Sequence, residues 1–231
     1  MSAGPQTRGF VLAVTGLKAE ARVAERSPRT RAVAGGGHAG RLERRIEEAI
    51  TKDCRGVISF GVAAGLEREL RPGTCLIGRE VVDENGRHLA DDVWTARLQA
   101  RLGRAAVVGI AGVDRPLVTP AQKQALLEAT GAAGADMESH VAARVAAELG
   151  LPFAVLRVVS DPAERALPSA ALAGMRDDGS TDAGAVLRSL RREPGQIPQL
   201  LRVAADAGRA YYALLRCHRR LGGGLGLLDL G

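Results

Sequence analysis

Short apolar runs of strand character alternate with helix-patterned stretches over the first two thirds of this chain, and that alternation restricts the fold more than any other feature. The strand-like runs are residues 10–15, 57–60, 75–77 continuing to 81–82, 106–110 and 153–159. Between them, residues 41–50 carry Leu42, Ile46, Ala49 and Ile50 on one helical face, and residues 93–102 and 121–129 behave similarly. Residues 138–149 place Val141, Val145 and Leu149 at i, i+4 and i+8, one buried stripe. Alternation of this kind predicts an α/β fold, a three-layer αβα sandwich around a central, largely parallel mixed sheet.

The boundaries follow from where the pattern stops. Residues 9–165 read as the core unit. From 167 to 184 the chain is rich in Pro, Gly, Ser and Asp, which predicts a loop leading into a helical stretch over 199–221. That stretch combines Leu200, Leu201, Val203, Tyr211 and Leu214 with Arg202, Arg209, Arg216, Arg219 and Arg220, and it ends in the apolar tail Gly222-Gly223-Gly224-Leu225-Gly226-Leu227-Leu228. Residues 166–231 are therefore expected to form a loop and an amphipathic helical extension packed into the same domain. A helix packed on the sheet is the commoner use of such a stretch; contact with a membrane surface or a lipid substrate is the alternative.

Composition excludes several functions. The formal charge of +6 rests almost wholly on arginine, because Lys18, Lys52 and Lys123 are the only lysines. The arginines are scattered and aromatics are 3% of residues, so neither the basic stripe nor the stacking platform of a nucleic-acid binder is present. Cys54, Cys75 and Cys217 are odd in number and lack CxxC spacing, which argues against a disulfide framework and a zinc site and for a reducing cytoplasm. His38, His88, His140 and His218 form no ligand-spaced cluster, so no metal is expected. No run approaches the ~18 apolar residues of a membrane-spanning helix, and no secretory leader is evident.

Two motifs need weighing. Gly35-Gly36-Gly37-His38-Ala39-Gly40 satisfies GxGxxG, but no acidic residue closes a second strand some twenty residues on, so a plain strand-to-helix turn is the better account. The acidic clusters Ala135-Asp136-Met137-Glu138-Ser139 and Val158-Val159-Ser160-Asp161-Pro162-Ala163 each follow an apolar run. Singly, Asp161 with Pro162 and Glu164 reads as a helix cap, and Glu138 as a first-turn acid. Together with Glu20, just past the first strand, they would gather at the carboxyl edge of one sheet, where open α/β folds place their chemistry.

In order and spacing, Gly16-Leu17-Lys18-Ala19-Glu20, Phe60-Gly61-Val62-Ala63-Ala64-Gly65-Leu66, Asp136-Met137-Glu138 and Arg157-Val158-Val159-Ser160-Asp161 resemble the signature blocks of the purine nucleoside phosphorylase and nucleosidase superfamily. The resemblance covers about residues 10–163. Within it, residues 135–144 and 161–168 are most similar to the hopanoid-associated phosphorylase group, which implies cleavage of adenosylhopane in bacterial hopanoid synthesis. Methylthioadenosine and S-adenosylhomocysteine nucleosidases are similar as well.

This resemblance implies roles that the chemistry makes sensible. Breaking an N-glycosidic bond to adenine leaves positive charge on ribose and negative charge on the base. Asp161 would protonate or hydrogen-bond adenine N7, with Ser160 orienting it; Glu138 would bind the ribose hydroxyls and Met137 the ribose face. Glu20, with Arg157 as partner, would position the nucleophile, and the backbone near Leu117 would read the adenine edge. Gly61, Val62 and Ala63 would border the nucleophile. Relatives often place serine where Val62 and Ala63 stand, and a carboxylate beside the attacking oxygen suits water better than phosphate. Hydrolysis is therefore expected, without cofactor; phosphorolysis, with phosphate as co-substrate and Lys18 as its counter-charge, is the alternative. Only fourteen residues separate Glu20 from Gly35, a shortening that would open the 5′ side to a bulky apolar group. The resemblance further implies a homo-oligomer and, through the C-terminal helix, peripheral membrane contact. A non-catalytic adenosine-binding module is the reading from another class.

Overall fold

The computed structural model describes residues 9–36, 38–174, 176 and 178–227. In chain order its elements are β1 (Phe10–Thr15), α1 (Lys18–Ala24), β2 (Thr30–Ala34), α2 (Ala39–Ala49), β3 (Cys54–Gly65), β4 (Cys75–Asp83), β5 (Gly86–Leu89), α3 (Asp92–Leu102), β6 (Ala106–Gly112) and α4 (Pro120–Thr130). There follow β7 (Gly134–Asp136), α5 (Ser139–Glu148), β8 (Phe153–Asp161), α6 (Ser169–Ala173), α7 (Ala183–Arg192) and α8 (Ile197–Leu221).

The mixed sheet expected from the sequence is present. β1, β2, β3 and β8 run parallel to one another, as do β4, β6 and β7, while β8 meets β4 and β3 meets β7 antiparallel, and β5 is a hairpin partner of β4. β7 pairs with both β6 and the end of β3, so β3, β8, β4, β6 and β7 close into a ring. That closure removes two sheet edges.

The central strands are buried on both faces, as parallel strands between helical layers must be. Leu12 and Val14 of β1 pack with Leu42 and Ile46 of α2 and Val141 and Val145 of α5. Val11 and Ala13 face the other way, toward Ile58, Phe60, Trp94, Leu98 and Leu214 on β3, α3 and α8. The one-residue alternation along β1 thus specifies both helical layers.

β3 runs past the strand-like run 57–60, and residues 61–65 continue it. Its register with β8 runs unbroken from Val57↔Phe153 to Ala63↔Val159, shifts by one, and ends at Ala64↔Asp161. The small residues have a packing cause. A Cβ at Gly61 (φ +155°) would sit 2.7 Å from the Glu20 carboxyl carbon.

The apolar tail also has a structural use. Leu225 is fully buried in the core with Trp94 and Leu98, and its carbonyl accepts the Trp94 indole N–H at 3.1 Å. The Leu227 carbonyl accepts from Arg97 at 2.8 Å. Residues 222–227 therefore belong to the fold rather than to a lipid surface; Gly37 of the glycine-rich motif and Leu228 of the tail lie outside the described residues. Asp92 and Trp94 start α3, with Asp91 capping the Trp94 N–H at 2.7 Å.

Candidate active site

The carboxyl ends of β1, β3, β7 and β8 converge, and each delivers a polar group to the same place. Glu20 is the third residue of α1 and is 1% exposed. Its Oε2 accepts the Gly16 and Leu17 N–H groups at 2.9 and 2.8 Å, and its Oε1 accepts the Val62 N–H at 2.8 Å. A carboxylate oxygen offers about two lone-pair sites, so Oε2 is saturated while Oε1 keeps one. Burial raises the Glu20 pKa, against the pull of Arg157 and of these three N–H groups.

Arg157 is the hub. It shares the face of β8 that carries Val155 and Val159, toward α5, and it is completely buried. Its Nε lies 2.9 Å from Asp136 Oδ2 and one terminal nitrogen lies 3.3 Å from Glu138 Oε2. It also donates to the Ser59 hydroxyl at 2.5 Å and to the Val62 carbonyl at 3.2 Å. Asp136 Oδ1 in turn accepts the Glu138 and Ser139 N–H groups at 2.9 and 2.7 Å, fixing the start of α5. Three buried carboxylates, Glu20, Asp136 and Glu138, thus surround one guanidinium. Burial pushes Glu138 up to about 7, opposed by Arg157 and reinforced by Asp136 and Glu20. Gly16 leaves room for it, since a Cβ there would lie 2.9 Å from Glu138 Oε1.

Asp161 ends β8 with a partner that the sequence reading does not include. Lys123 of α4 is fully buried, its Nζ 2.7 Å from Asp161 Oδ2, and it donates to the Pro162 and Arg165 carbonyls at 2.8 and 2.9 Å. A compact ammonium with three donors suits three separate acceptors better than a planar guanidinium would, which accounts for one of only three lysines in an arginine-rich chain. Burial raises Asp161 despite Lys123, and burial lowers Lys123 despite Asp161. Asp161 Oδ1 is buried without a hydrogen-bond partner among the described residues. Replacing Lys123 with methionine should therefore destabilise the protein by about 3 kcal/mol, measured by urea unfolding, because it strands a buried carboxylate and two carbonyls.

Between these groups lies a cavity of about 420 Å³. Gly16 and Glu20 border it after β1, Val62 from β3, Met137 and Glu138 after β7, Arg157, Ser160 and Asp161 from β8, and Leu117 from the segment between β6 and α4. Leu172, Val186, Leu200, Val203, Ala207 and Tyr211 add an apolar wall from the helices after residue 166. The structure brings together Glu20, Ala63, Leu117, Met137, Glu138, Arg157, Ser160 and Asp161, all singled out in the sequence. Gly61 packs against Glu20 beneath them.

Some contacts differ from the expected ones. The Ser160 hydroxyl donates to the Ala63 carbonyl at 3.4 Å, so Lys123 rather than Ser160 holds Asp161. Arg157 reaches Glu20 only through Val62, whose carbonyl it binds and whose N–H Glu20 binds. Lys18 is engaged by Asp178 at 2.6 Å on the surface. Lys123 and Tyr211 are what the sequence reading lacks; the rarity of lysine in this chain was the available signal for the first. Among the described residues, no group of three or more His, Cys, Asp or Glu is arranged to hold a metal.

A family model described as the Phosphorylase superfamily matches residues 30–191. Among solved structures, the chain is similar to the 5′-methylthioadenosine/S-adenosylhomocysteine nucleosidase of S. pneumoniae with the transition-state inhibitor MT-ImmA, at a TM-score of 0.64 and 13% identity over 92% of this chain and 99% of that one. Futalosine hydrolase of Helicobacter pylori gives 0.61 at 14% identity, over 66% of this chain and 88% of that one. An aspartate-to-asparagine mutant of the H. pylori methylthioadenosine nucleosidase, with 5′-methylthioadenosine in its active site, gives 0.59 at 14%, over 90% and 97%. At these identities the likeness is one of fold. A search of curated proteins finds no match.

Proposed function

The chain belongs to the phosphorylase superfamily, and from that premise we propose that it cleaves the N-glycosidic bond of a 5′-substituted adenosine, releasing adenine with water as nucleophile. The observation that carries this reading is the seat of Glu20. The Gly16, Leu17 and Val62 N–H groups, which would otherwise offer a cradle for phosphate at the start of α1, already hold an internal carboxylate. Asp136 and Glu138 deepen the negative field around Arg157. An incoming phosphate would meet these carboxylates; a water can donate to the remaining lone pair of Glu20 Oε1.

The other groups take the complementary parts. Asp161 serves the base as the proton donor, and Lys123 holds its Oδ2. Glu138 accepts the ribose hydroxyls and, when ionised, steadies the oxocarbenium-like sugar; Met137 covers the ribose face and Leu117 borders the adenine. The nucleosidases whose fold the chain shares support an adenosine-type ligand.

The apolar wall from α6, α7 and α8 supports a large hydrocarbon at the 5′ position, and we assign adenosylhopane as the substrate. Leu187 and Leu201, next in sequence to the cavity-lining Val186 and Leu200, are 59% and 65% exposed. That exposure suits peripheral contact with the membrane in which such a substrate partitions. No helix of the described residues is long and apolar enough to cross a membrane.

Mass spectrometry of products from adenosylhopane and from methylthioadenosine tests the proposal. Adenine and a free ribose product should form at the same rate in phosphate-free and phosphate-containing buffer, faster from adenosylhopane. A ribose-1-phosphate product with strict phosphate dependence would overturn the assignment of water, and preference for methylthioadenosine the assignment of substrate.

A further inference from the structure

A second feature lies apart from the candidate active site. Cys75 opens β4 and Cys217 sits in the last third of α8, 142 residues away in sequence, yet their sulfurs are 3.2 Å apart. Both border a cavity of about 600 Å³ that Thr74, Arg104, Arg216 and Arg220 also line. We propose that Cys75 and Cys217 form a two-thiol oxidation site that takes a small peroxide and closes as an intramolecular disulfide.

The geometry supports each step. A disulfide needs the sulfurs at about 2.0 Å, so the thiols must approach by roughly an ångström. Three arginines on the cavity give an electropositive surrounding of the kind that favours a thiolate and admits an oxidant. The Cys217 pKa is lowered by its hydrogen bond with Cys75, against burial and with help from Arg220 and Arg216, whereas that of Cys75 is raised. Cys217 is thus the attacking thiolate and Cys75 the resolving thiol. The Cys217 sulfur attacks the peroxide oxygen, giving Cys217–SOH and ROH. Cys75 then attacks the Cys217 sulfur and its proton leaves with the hydroxide as water. In sum, two thiols and one ROOH give one disulfide, ROH and H₂O, with two electrons passing from sulfur to peroxide.

The bond would tie α8 to the strand beside β8. Cys75 is the register partner of Val158, one residue from Arg157, and α8 also carries Val203, Ala207 and Tyr211 of the active-site wall. Cys54, buried and unpaired, serves as an internal control.

Treating the protein with hydrogen peroxide should reduce the free thiols of this chain from three to one. Non-reducing peptide mapping should show Cys75 joined to Cys217, the thermal midpoint should rise, and dithiothreitol should reverse both. Cys217→Ser and, separately, Cys75→Ser should abolish the link. Retention of three thiols, over-oxidation of Cys217 without a link, or disulfide-bonded dimers in place of the intramolecular bond would each overturn the proposal.

Discussion

Substituting Asp161 by asparagine should lower the rate of adenine release by about 10²–10⁴-fold, the range for losing a positioned general acid, with substrate binding nearly unchanged. Asparagine keeps the shape of the side chain. Its carbonyl can still accept from Lys123, and its amide can occupy the place of Oδ1 and donate to the base, but it has no proton to give. Single-turnover adenine release, set beside equilibrium binding of a non-hydrolysable adenosine analogue, separates the two quantities. A variant within threefold of wild type in rate would remove Asp161 from the chemistry. In the wild type, burial raises the pKa of Asp161, so the donating form persists to higher pH than an ordinary aspartate allows, and the rate falls as pH rises through that pKa.

Glu138→Gln should cost about 10²–10³-fold in kcat, a typical loss for one electrostatic contact made to transition-state charge, and it should change the pH profile in a directed way. Glu138 titrates near 7 because burial outweighs Arg157. Wild-type activity should therefore climb as pH rises through 7 and the carboxylate forms; the variant should lack that limb. Stability should move oppositely. A carboxyl group whose folded pKa exceeds its unfolded one contributes fully below the unfolded value, and the contribution is lost as pH rises through the folded value. The permanently neutral glutamine should hence gain in relative thermal midpoint between pH 5 and pH 8. Parallel stability curves for the two proteins across that window would refute the assignment of Glu138 as the group titrating near 7.

Much of this arrangement is legible in the chain because it is local. The apolar runs of β1 and β8 encode strands buried on both faces and the helical stripe of α5 encodes a buried side, and that is enough to predict a sheet between helical layers. Glu20, Glu138 and Asp161 could be singled out because each stands just past an apolar run. The strands absent from the reading, β2, β5 and β7, are three to five residues long, too short to establish a period. β3 was cut at Gly61 because small residues look alike whether they make a turn or give way to a buried carboxylate.

Which distant groups touch is another matter. Lys123 on Asp161, Arg157 among three carboxylates, Cys75 against Cys217 and Leu225 under Trp94 are each set by strand register and helix packing. The sequence by itself determined the layers, the order of the strands' functional ends and the acidic residues that stand there. Only the tertiary structure decided that Glu20 takes the N–H groups of Gly16, Leu17 and Val62 and that Lys123 holds Asp161. The physical reason is that periodicity reports how each residue meets its own element's surface, whereas a contact between remote residues depends on the closure of β3, β8, β4, β6 and β7 into one ring.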